Sequence, residues 1–226
     1  MGLLTVNSGK TRIKICGLTR ASDVDSAVSL GIDALGYVFY PQSPRYISPE
    51  MASALISRMP GGVDAVGLVV DPTDEEVLAI KNRINVDIWQ FHGDESPERC
   101  AEIADGAKWM KAARIHSGFK LEEFCKKYEN ANAWLLDAFV EGYGGGGKTF
   151  DWSLIPIIWA QENAHRVVLS GGLNSHNVGE SIHRFKPLAI DVSSGVELAK
   201  GIKDPVLMRE FVAAIRAEDA RIYPLV

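Results

Sequence analysis

The strongest constraint on the fold of this chain is the recurrence of eight short apolar runs that are rich in β-forming residues. They lie at Arg12–Cys16, Ala34–Phe39, Ala65–Val70, Ile88–Phe91, Lys108–Ala113, Ala133–Asp137, Val167–Leu169 and Leu188–Val192. Most of them are continuous rather than alternating, which is typical of strands buried on both faces. Amphipathic segments with helix-start signals separate the runs, such as the Ser-Pro-Glu sequences at 48–50 and 96–98.

A strand followed by a helix, repeated eight times, predicts an α/β protein built as a closed (β/α)8 barrel, also called a TIM barrel. The length of 226 residues suits a single domain, which we assign to residues 1–226. A doubly wound open sheet is the structural alternative, which eight units without a GxGxxG turn disfavour. The glycine run Gly144–Gly147 falls between a strand and a helix of one unit, so we interpret it as a mobile loop over the site.

Composition excludes several classes of partner. The formal net charge is -5 and no basic stripe offsets it, so we expect no nucleic-acid partner. No apolar stretch approaches the ~20 residues of a membrane span, and the amino terminus lacks the pattern of a signal peptide. Three widely spaced cysteines form no disulfide framework and no metal signature, which favours a reducing, cytoplasmic location. We therefore expect a small-molecule substrate and no metal.

Small residues follow the last two predicted strands, where barrels commonly hold a phosphate group. Bare backbone N–H groups at such loops, together with a short extra helix, form an anion site, and 196–200 is long enough for that helix. Ordinary tight turns are the alternative, since glycine is common in them. The predicted phosphate-binding residues are Gly171, Gly172, Ser193, Ser194 and Gly195.

Two reactive side chains end predicted strands. Cys16 ends the first strand, and although a thiol there is often a small core residue, Gly17 lets a ligand approach. Nearby positive charge would favour its thiolate, which can act as a base or as a nucleophile. Asp137 ends the apolar sixth strand, where it is either a structural ion pair or cap, or a desolvated acid that donates a proton near neutral pH. An acid and a base facing each other across the barrel mouth would suit a proton-transfer reaction.

Three further polar residues lie near strand ends. Arg45 follows two prolines that stiffen its loop, and it is either a bidentate carboxylate ligand or an exposed surface arginine. His92 is either a hydrogen-bonding residue of the site or a structural histidine, and it is a poor metal candidate because no cluster surrounds it. Asp191 precedes the last loop and belongs to the site or to the scaffold.

Five stretches of distinctive sequence are spread over nearly the whole chain. They are KICGLT (Lys14–Thr19), GYVFYPQSPRYISPE (Gly36–Glu50), QFHGDE (Gln90–Glu95), LLDAFVEGYGGGGKTFDW (Leu135–Trp152) and SGGLNSHNV (Ser170–Val178), the last continuing to IDVSSGVE (Ile190–Glu197) and GIKDP (Gly201–Pro205). Together they resemble the phosphoribosylanthranilate isomerase family of tryptophan biosynthesis. Each stretch alone is modestly specific. Their order at barrel spacing is highly specific.

The resemblance implies an Amadori rearrangement of N-(5-phosphoribosyl)anthranilate to 1-(o-carboxyphenylamino)-1-deoxyribulose 5-phosphate, without a cofactor. At the matching positions it implies Cys16 as the base, Asp137 as the acid and Arg45 as the anchor of the anthranilate carboxylate. We expect His92 and Asp191 to bind the substrate as well. The resemblance also implies that the substrate phosphate binds at the two small-residue loops and that the enzyme acts as a monomer or a homodimer.

Other classes of barrel are less consistent with these residues. The histidine-pathway isomerase family would place an aspartate where Cys16 stands and would show two similar half-barrels. A phosphate-sugar lyase, such as an aldolase, would need a lysine at a strand end, whereas Lys14 and Lys111 fall inside predicted strands. A barrel that only binds phosphate would need neither the thiol nor the acid.

Overall fold

Eight parallel strands close into a barrel in the computed structural model, which describes residues 2–6, 9–138 and 152–224. The strands are β1 (Arg12–Cys16), β2 (Ala34–Val38), β3 (Asp64–Val69), β4 (Ile88–Phe91), β5 (Lys108–Ile115), β6 (Ala133–Ala138), β7 (Val167–Leu169) and β8 (Ala189–Val192). The helices are α1 (Ala21–Ser29), α2 (Pro49–Ile56), α3 (Asp74–Lys81), α4 (Pro97–Ala104), α5 (Leu121–Lys127), α6 (Ile157–Glu162), α7 (Val178–Phe185) and α8 (Pro205–Ile222). The predicted (β/α)8 barrel is confirmed, and the predicted loop at Gly144–Gly147 lies outside the described residues.

Several helices begin where the sequence supplies a capping side chain. The Ser48 hydroxyl accepts a hydrogen bond from the third residue of α2 at 3.3 Å, and Ser96 does the same at α4 at 3.2 Å. Thr73 and Glu76 form a reciprocal capping box at α3. Such caps satisfy N–H groups that the first helical turn leaves without partners. In the described part of the chain, no helix has both the length and the apolar character that crossing a bilayer requires.

The barrel interior changes character along the strands. Its amino-terminal part is apolar, with Leu3, Ala34, Val66, Ile88, Met110, Ala112, Ala133, Leu135, Val168, Leu188 and Ala189 in one buried cluster. Because side chains alternate between the two faces of a strand, the next inward residue lies two positions further along. On β4 and β8 these are Gln90 and Asp191, which are both buried. A second, smaller apolar cluster, made of Cys16, Val38 and Leu68, follows at the carboxyl ends.

An antiparallel ribbon follows β8 instead of the predicted short helix. One 3₁₀ turn covers Ser194–Val196, and the chain then forms β9 (Glu197–Ala199) and β10 (Ile202–Lys203). The predicted helix over 196–200 is therefore wrong. Gly201 has a φ of 79°, which favours glycine and lets the chain reverse. Across the ribbon the buried side chains of Glu197 and Lys203 form an ion pair at 2.8 Å, and this pairing needs the extended backbone.

Candidate active site

The thiol of Cys16 lies at the carboxyl end of β1 and is almost fully buried, with 4% of the residue exposed. Lys14 lies two residues earlier on the same face of the strand, and its ammonium group donates to Asp191 Oδ1 at 2.8 Å. The charge of the same ammonium acts on the Cys16 side chain, two residues along the strand. On the neighbouring strand β2, a Cβ at Gly36 would lie 2.7 Å from Cys16 Sγ, so only glycine leaves room for the thiol in this position.

The surroundings of Cys16 act on its ionisation in opposite directions. Burial raises the pKa of the thiol above its ordinary value, while the cations of Lys14 and Lys203 oppose that rise. Burial on its own lowers the pKa of Lys14, but its contacts with Asp191 and Cys16 outweigh burial and the pKa is raised. These contacts therefore favour the charged form of Lys14 beside the thiol.

Arg45 is buried against the ribbon rather than exposed on the surface. Its Nε and Nη2 donate to the two carboxylate oxygens of Glu197 at 2.8 and 2.7 Å. Lys203 donates to the same carboxylate at 2.8 Å and to the Ser193 carbonyl at 3.1 Å. Burial raises the pKa of Glu197, but the hydrogen bond from Arg45 and the charge of Lys203 outweigh burial and lower it. The surface alternative for Arg45 is wrong, and its Nη1 remains the guanidinium nitrogen without a hydrogen bond in the described residues.

The predicted acid and the predicted histidine meet at the other side of the barrel mouth. His92 Nε2 lies 3.2 Å from Asp137 Oδ2, and both side chains are partly open, at 15% and 18% exposure. The amide nitrogen of Gln90, which is fully buried on the same strand as His92, lies 3.1 Å from His92 Nδ1. The two ring nitrogens of His92 therefore bridge Gln90 and Asp137, with donor and acceptor roles that follow the tautomer of the ring. Asp137 thus lies three strands from Cys16 around the barrel, at the same end.

The loop after β7 turns through two glycines in the left-handed region. Gly171 and Gly172 have φ values of 87° and 65°, where other residues are strained. The Asn177 side chain donates to the Gly172 carbonyl at 3.0 Å and ties the loop to the start of α7. Neither glycine N–H finds a protein acceptor within the described ranges. Both are therefore available to an anion.

The loop after β8 packs directly on the loop after β7. A Cβ at Gly195 would overlap the carbonyl oxygen of Leu173, so the two backbones are in contact there. The Ser193 hydroxyl donates to the Cys16 carbonyl at 3.1 Å and links this loop to β1. Ser194 begins the 3₁₀ turn. The five predicted phosphate residues therefore lie on two loops that touch each other.

Asp191 shares its two oxygens between the lysine and the loop after β7. Oδ1 pairs with Lys14, and Oδ2 lies 3.4 Å from the Ser170 hydroxyl. Neither here nor elsewhere in the described ranges do three or more histidine, cysteine or acidic side chains form a group that could hold a metal ion.

Sequence reasoning missed four buried polar residues of this end of the barrel: Lys14, Gln90, Glu197 and Lys203. The alternation of strand side chains would have found two of them, because Lys14 and Gln90 stand two positions before Cys16 and His92. For Glu197 and Lys203 the sequence carries no local signal, since their contacts with Arg45 and with each other depend on the ribbon.

Comparisons with known proteins agree on one family. The family model described as N-(5'-phosphoribosyl)anthranilate (PRA) isomerase matches residues 13–214. The N-(5'-phosphoribosyl)anthranilate isomerase of Leptothrix cholodnii is 53% identical over 218 residues, which cover 96% of this chain and 96% of the relative. The crystal structure of phosphoribosyl anthranilate isomerase from Thermotoga maritima superposes with a TM-score of 0.81 at 39% identity, covering 92% of this chain and 99% of that one.

A further solved structure carries a ligand. It is a phosphoribosyl anthranilate isomerase in complex with reduced 1-(o-carboxyphenylamino)-1-deoxyribulose 5-phosphate. It superposes with a TM-score of 0.80 at 36% identity, and the match covers 92% of this chain and 99% of that chain.

Proposed function

Since this chain belongs to the N-(5'-phosphoribosyl)anthranilate isomerase family and performs that aldose–ketose isomerisation in tryptophan biosynthesis, we propose that Cys16 is its general base and Asp137 its general acid. The observation that supports this assignment most is the placement of both groups at the carboxyl end of one barrel. There the thiol has the Lys14 ammonium beside it, and the carboxyl group of Asp137 has the His92 ring beside it. Catalytic groups of barrel enzymes lie at this end.

In the proposed reaction, Asp137 donates a proton to the ring oxygen of the sugar, and the bond from C1 to that oxygen breaks. The substrate nitrogen supplies the electron pair, so an iminium ion forms at C1. That cation acidifies the hydrogen at C2, which the Cys16 thiolate removes to give an enolamine. The enol hydroxyl then passes its proton to the Asp137 carboxylate and the Cys16 thiol protonates C1, which yields the ketone and restores both groups. Each proton-transfer group contributes about 10²–10⁴-fold to the rate.

The two charged ends of the substrate fit different parts of the rim. We assign its phosphate to the N–H groups of the loops after β7 and β8, at Gly171, Gly172, Ser193, Ser194 and Gly195. We assign the anthranilate carboxylate to Arg45, through the Nη1 nitrogen that Glu197 leaves unbonded. His92 would orient Asp137, and Asp191 Oδ2 would accept from a sugar hydroxyl.

The remaining proposals concern the state of the protein in the cell. We propose a cytoplasmic enzyme whose partner is its small-molecule substrate, with no nucleic acid, acting as a monomer or a homodimer. Support for the compartment comes from Cys16, Cys100 and Cys125, which are all buried free thiols.

Two isosteric variants test the acid and base assignments. We expect Cys16→Ser and Asp137→Asn to lower kcat by at least about 10²-fold, the contribution of one proton-transfer group. Phosphate binding should stay near that of the parent in both, measured as competitive inhibition by inorganic phosphate. Cys100→Ser is the matched control, because Cys100 is a fully buried residue of α4 that packs in a different apolar cluster from Cys16. Near-parental turnover in either site variant would reject its assigned role.

A further inference from the structure

We propose that Lys14 is a positioning residue of this isomerase, whose buried ammonium stabilises the anionic, proton-accepting form of the Cys16 side chain while Asp191 fixes the ammonium in place. The inference rests on the proposed role of Cys16 as the base. It assigns a function to a lysine that the strand pattern alone places inside the barrel wall.

The placement of Lys14 is specific to the thiol. The side chain has no exposed surface and reaches along the inward face of β1 toward the carboxyl end. Lys14 and Asp191 are direct partners in the β1–β8 register, so the two strands carry the ion pair with no loop involved. A Cβ at Gly36 would meet both Cys16 Sγ at 2.7 Å and Lys14 Cε at 3.1 Å. The lysine and the thiol therefore flank one small space that a glycine leaves open.

The charges that face this space do not balance. The cations are Lys14 from β1, Lys203 from β10 and Arg45 from the loop after β2. The carboxylates are Asp191 from β8 and Glu197 from β9. Glu197 is paired with both Lys203 and Arg45. All five groups are nearly inaccessible to solvent. Three positive and two negative charges leave a net charge of one positive unit, because Arg45 and Lys203 share Glu197, and a thiolate at Cys16 would neutralise it.

Of the three cations, Lys14 has the fewest hydrogen bonds to other groups in the described residues, so its charge is available to a thiolate at Cys16. The three donors of an ammonium group are already used at Lys203, by the Ser193 carbonyl, the Ser193 hydroxyl and Glu197. The Lys14 ammonium donates to one protein oxygen within the described residues, Asp191 Oδ1, and its charge acts on Cys16. Arg45 directs two of its nitrogens at Glu197. Removing Lys14 therefore removes the nearest positive charge from the base.

The test measures the ionisation of Cys16 in the substrate-free enzyme, by the pH dependence of alkylation with iodoacetamide. Cys16→Ser supplies the background from the other two thiols. In Lys14→Met we expect the alkylation midpoint to rise by about one pH unit or more, since a nearby opposite charge stabilises the anion by that amount. In Asp191→Asn we expect the midpoint to fall, because a negative charge leaves and Lys14 is released to the thiol. Damage to the fold would not move the midpoint in opposite directions in the two variants.

The double variant Lys14→Met/Asp191→Asn keeps the net buried charge of the parent and gives a second route to the test if Lys14→Met fails to fold. Its midpoint should still lie above that of the parent, because the nearer charge has been lost. The acid limb of kcat/KM should move upward with the alkylation midpoint. A folded Lys14→Met or double variant with the parental midpoint overturns the inference. Near-parental turnover of Cys16→Ser would instead overturn the proposed base, and the alkylation profile distinguishes the two failures.

Discussion

Gly36 offers a direct test of how closely the thiol is placed. In Gly36→Ala the new methyl carbon would lie 2.7 Å from Cys16 Sγ and 3.1 Å from Cys16 Cα. Non-bonded heavy atoms sit at about 3.5–4.0 Å, so the sulfur must move by roughly 1 Å. The strand cannot move instead, since β2 is hydrogen-bonded on both sides, to β1 and β3. A displacement of that size at a reacting group costs about 10²-fold in rate, so we expect kcat to fall by about that factor.

Two other glycine-to-alanine variants serve as controls in the same steady-state assay. A Cβ at Gly67 on β3 would meet Val86 at 3.2 Å, which is tight packing away from the thiol, so Gly67→Ala should lower stability but keep kcat. Gly61 has nothing within 4 Å of its Cβ position, and Gly61→Ala should match the parent in both. Thermal unfolding separates loss of stability from loss of rate. A parental kcat in Gly36→Ala would refute the close placement of the thiol.

Three further predictions concern the proposed site. Because burial raises the pKa of the Cys16 thiol and the thiolate is the proposed base, kcat/KM should rise with pH through a pKa above that of an ordinary thiol; a flat profile from about pH 6 to 9 would contradict it. In Gly195→Ala the new methyl group would push the two phosphate loops apart at Leu173. The inhibition constant of inorganic phosphate should therefore rise about tenfold, the value of one charge-assisted hydrogen bond. An unchanged constant would show that these loops do not form the phosphate site. Arg45→Ala should mainly raise KM in steady-state kinetics, and a loss confined to kcat would show that Arg45 is not a ground-state anchor of the substrate.

The strand pattern predicted most of the fold because barrel strands are apolar on both faces. The bounds of β1, β4 and β7 agree with the predicted runs. The fifth strand is two residues longer than predicted, and it ends at Ile115. Those residues include Arg114, whose charge broke the apolar pattern although its backbone continues to pair with β6. Pairing with a neighbouring strand is a long-range property that a single run of sequence does not encode.

The site was predictable where it follows from strand ends and not where it follows from tertiary contacts. Cys16 and Asp137 stand at strand ends, so the barrel rule alone brings them to one mouth. The expected helix after β8 failed because Glu197 is held in an extended ribbon by partners 152 and 6 residues away, Arg45 and Lys203. Local propensity does not encode a pairing of Glu197 with Arg45, which lies 152 residues away in the sequence.

The buried contact between Arg45 and Glu197 has a consequence for exchanging loops between related barrels. It joins the loop after β2 to the ribbon after β8. The turn that leads into this ribbon contains Gly195, whose backbone lies against Leu173 in the loop after β7. Transplanting any one of these connections alone would leave a buried charge without its ion-pair partner or break a contact between two backbones. Loop-grafting libraries on this scaffold should therefore treat the three as a single cassette and vary the others one at a time.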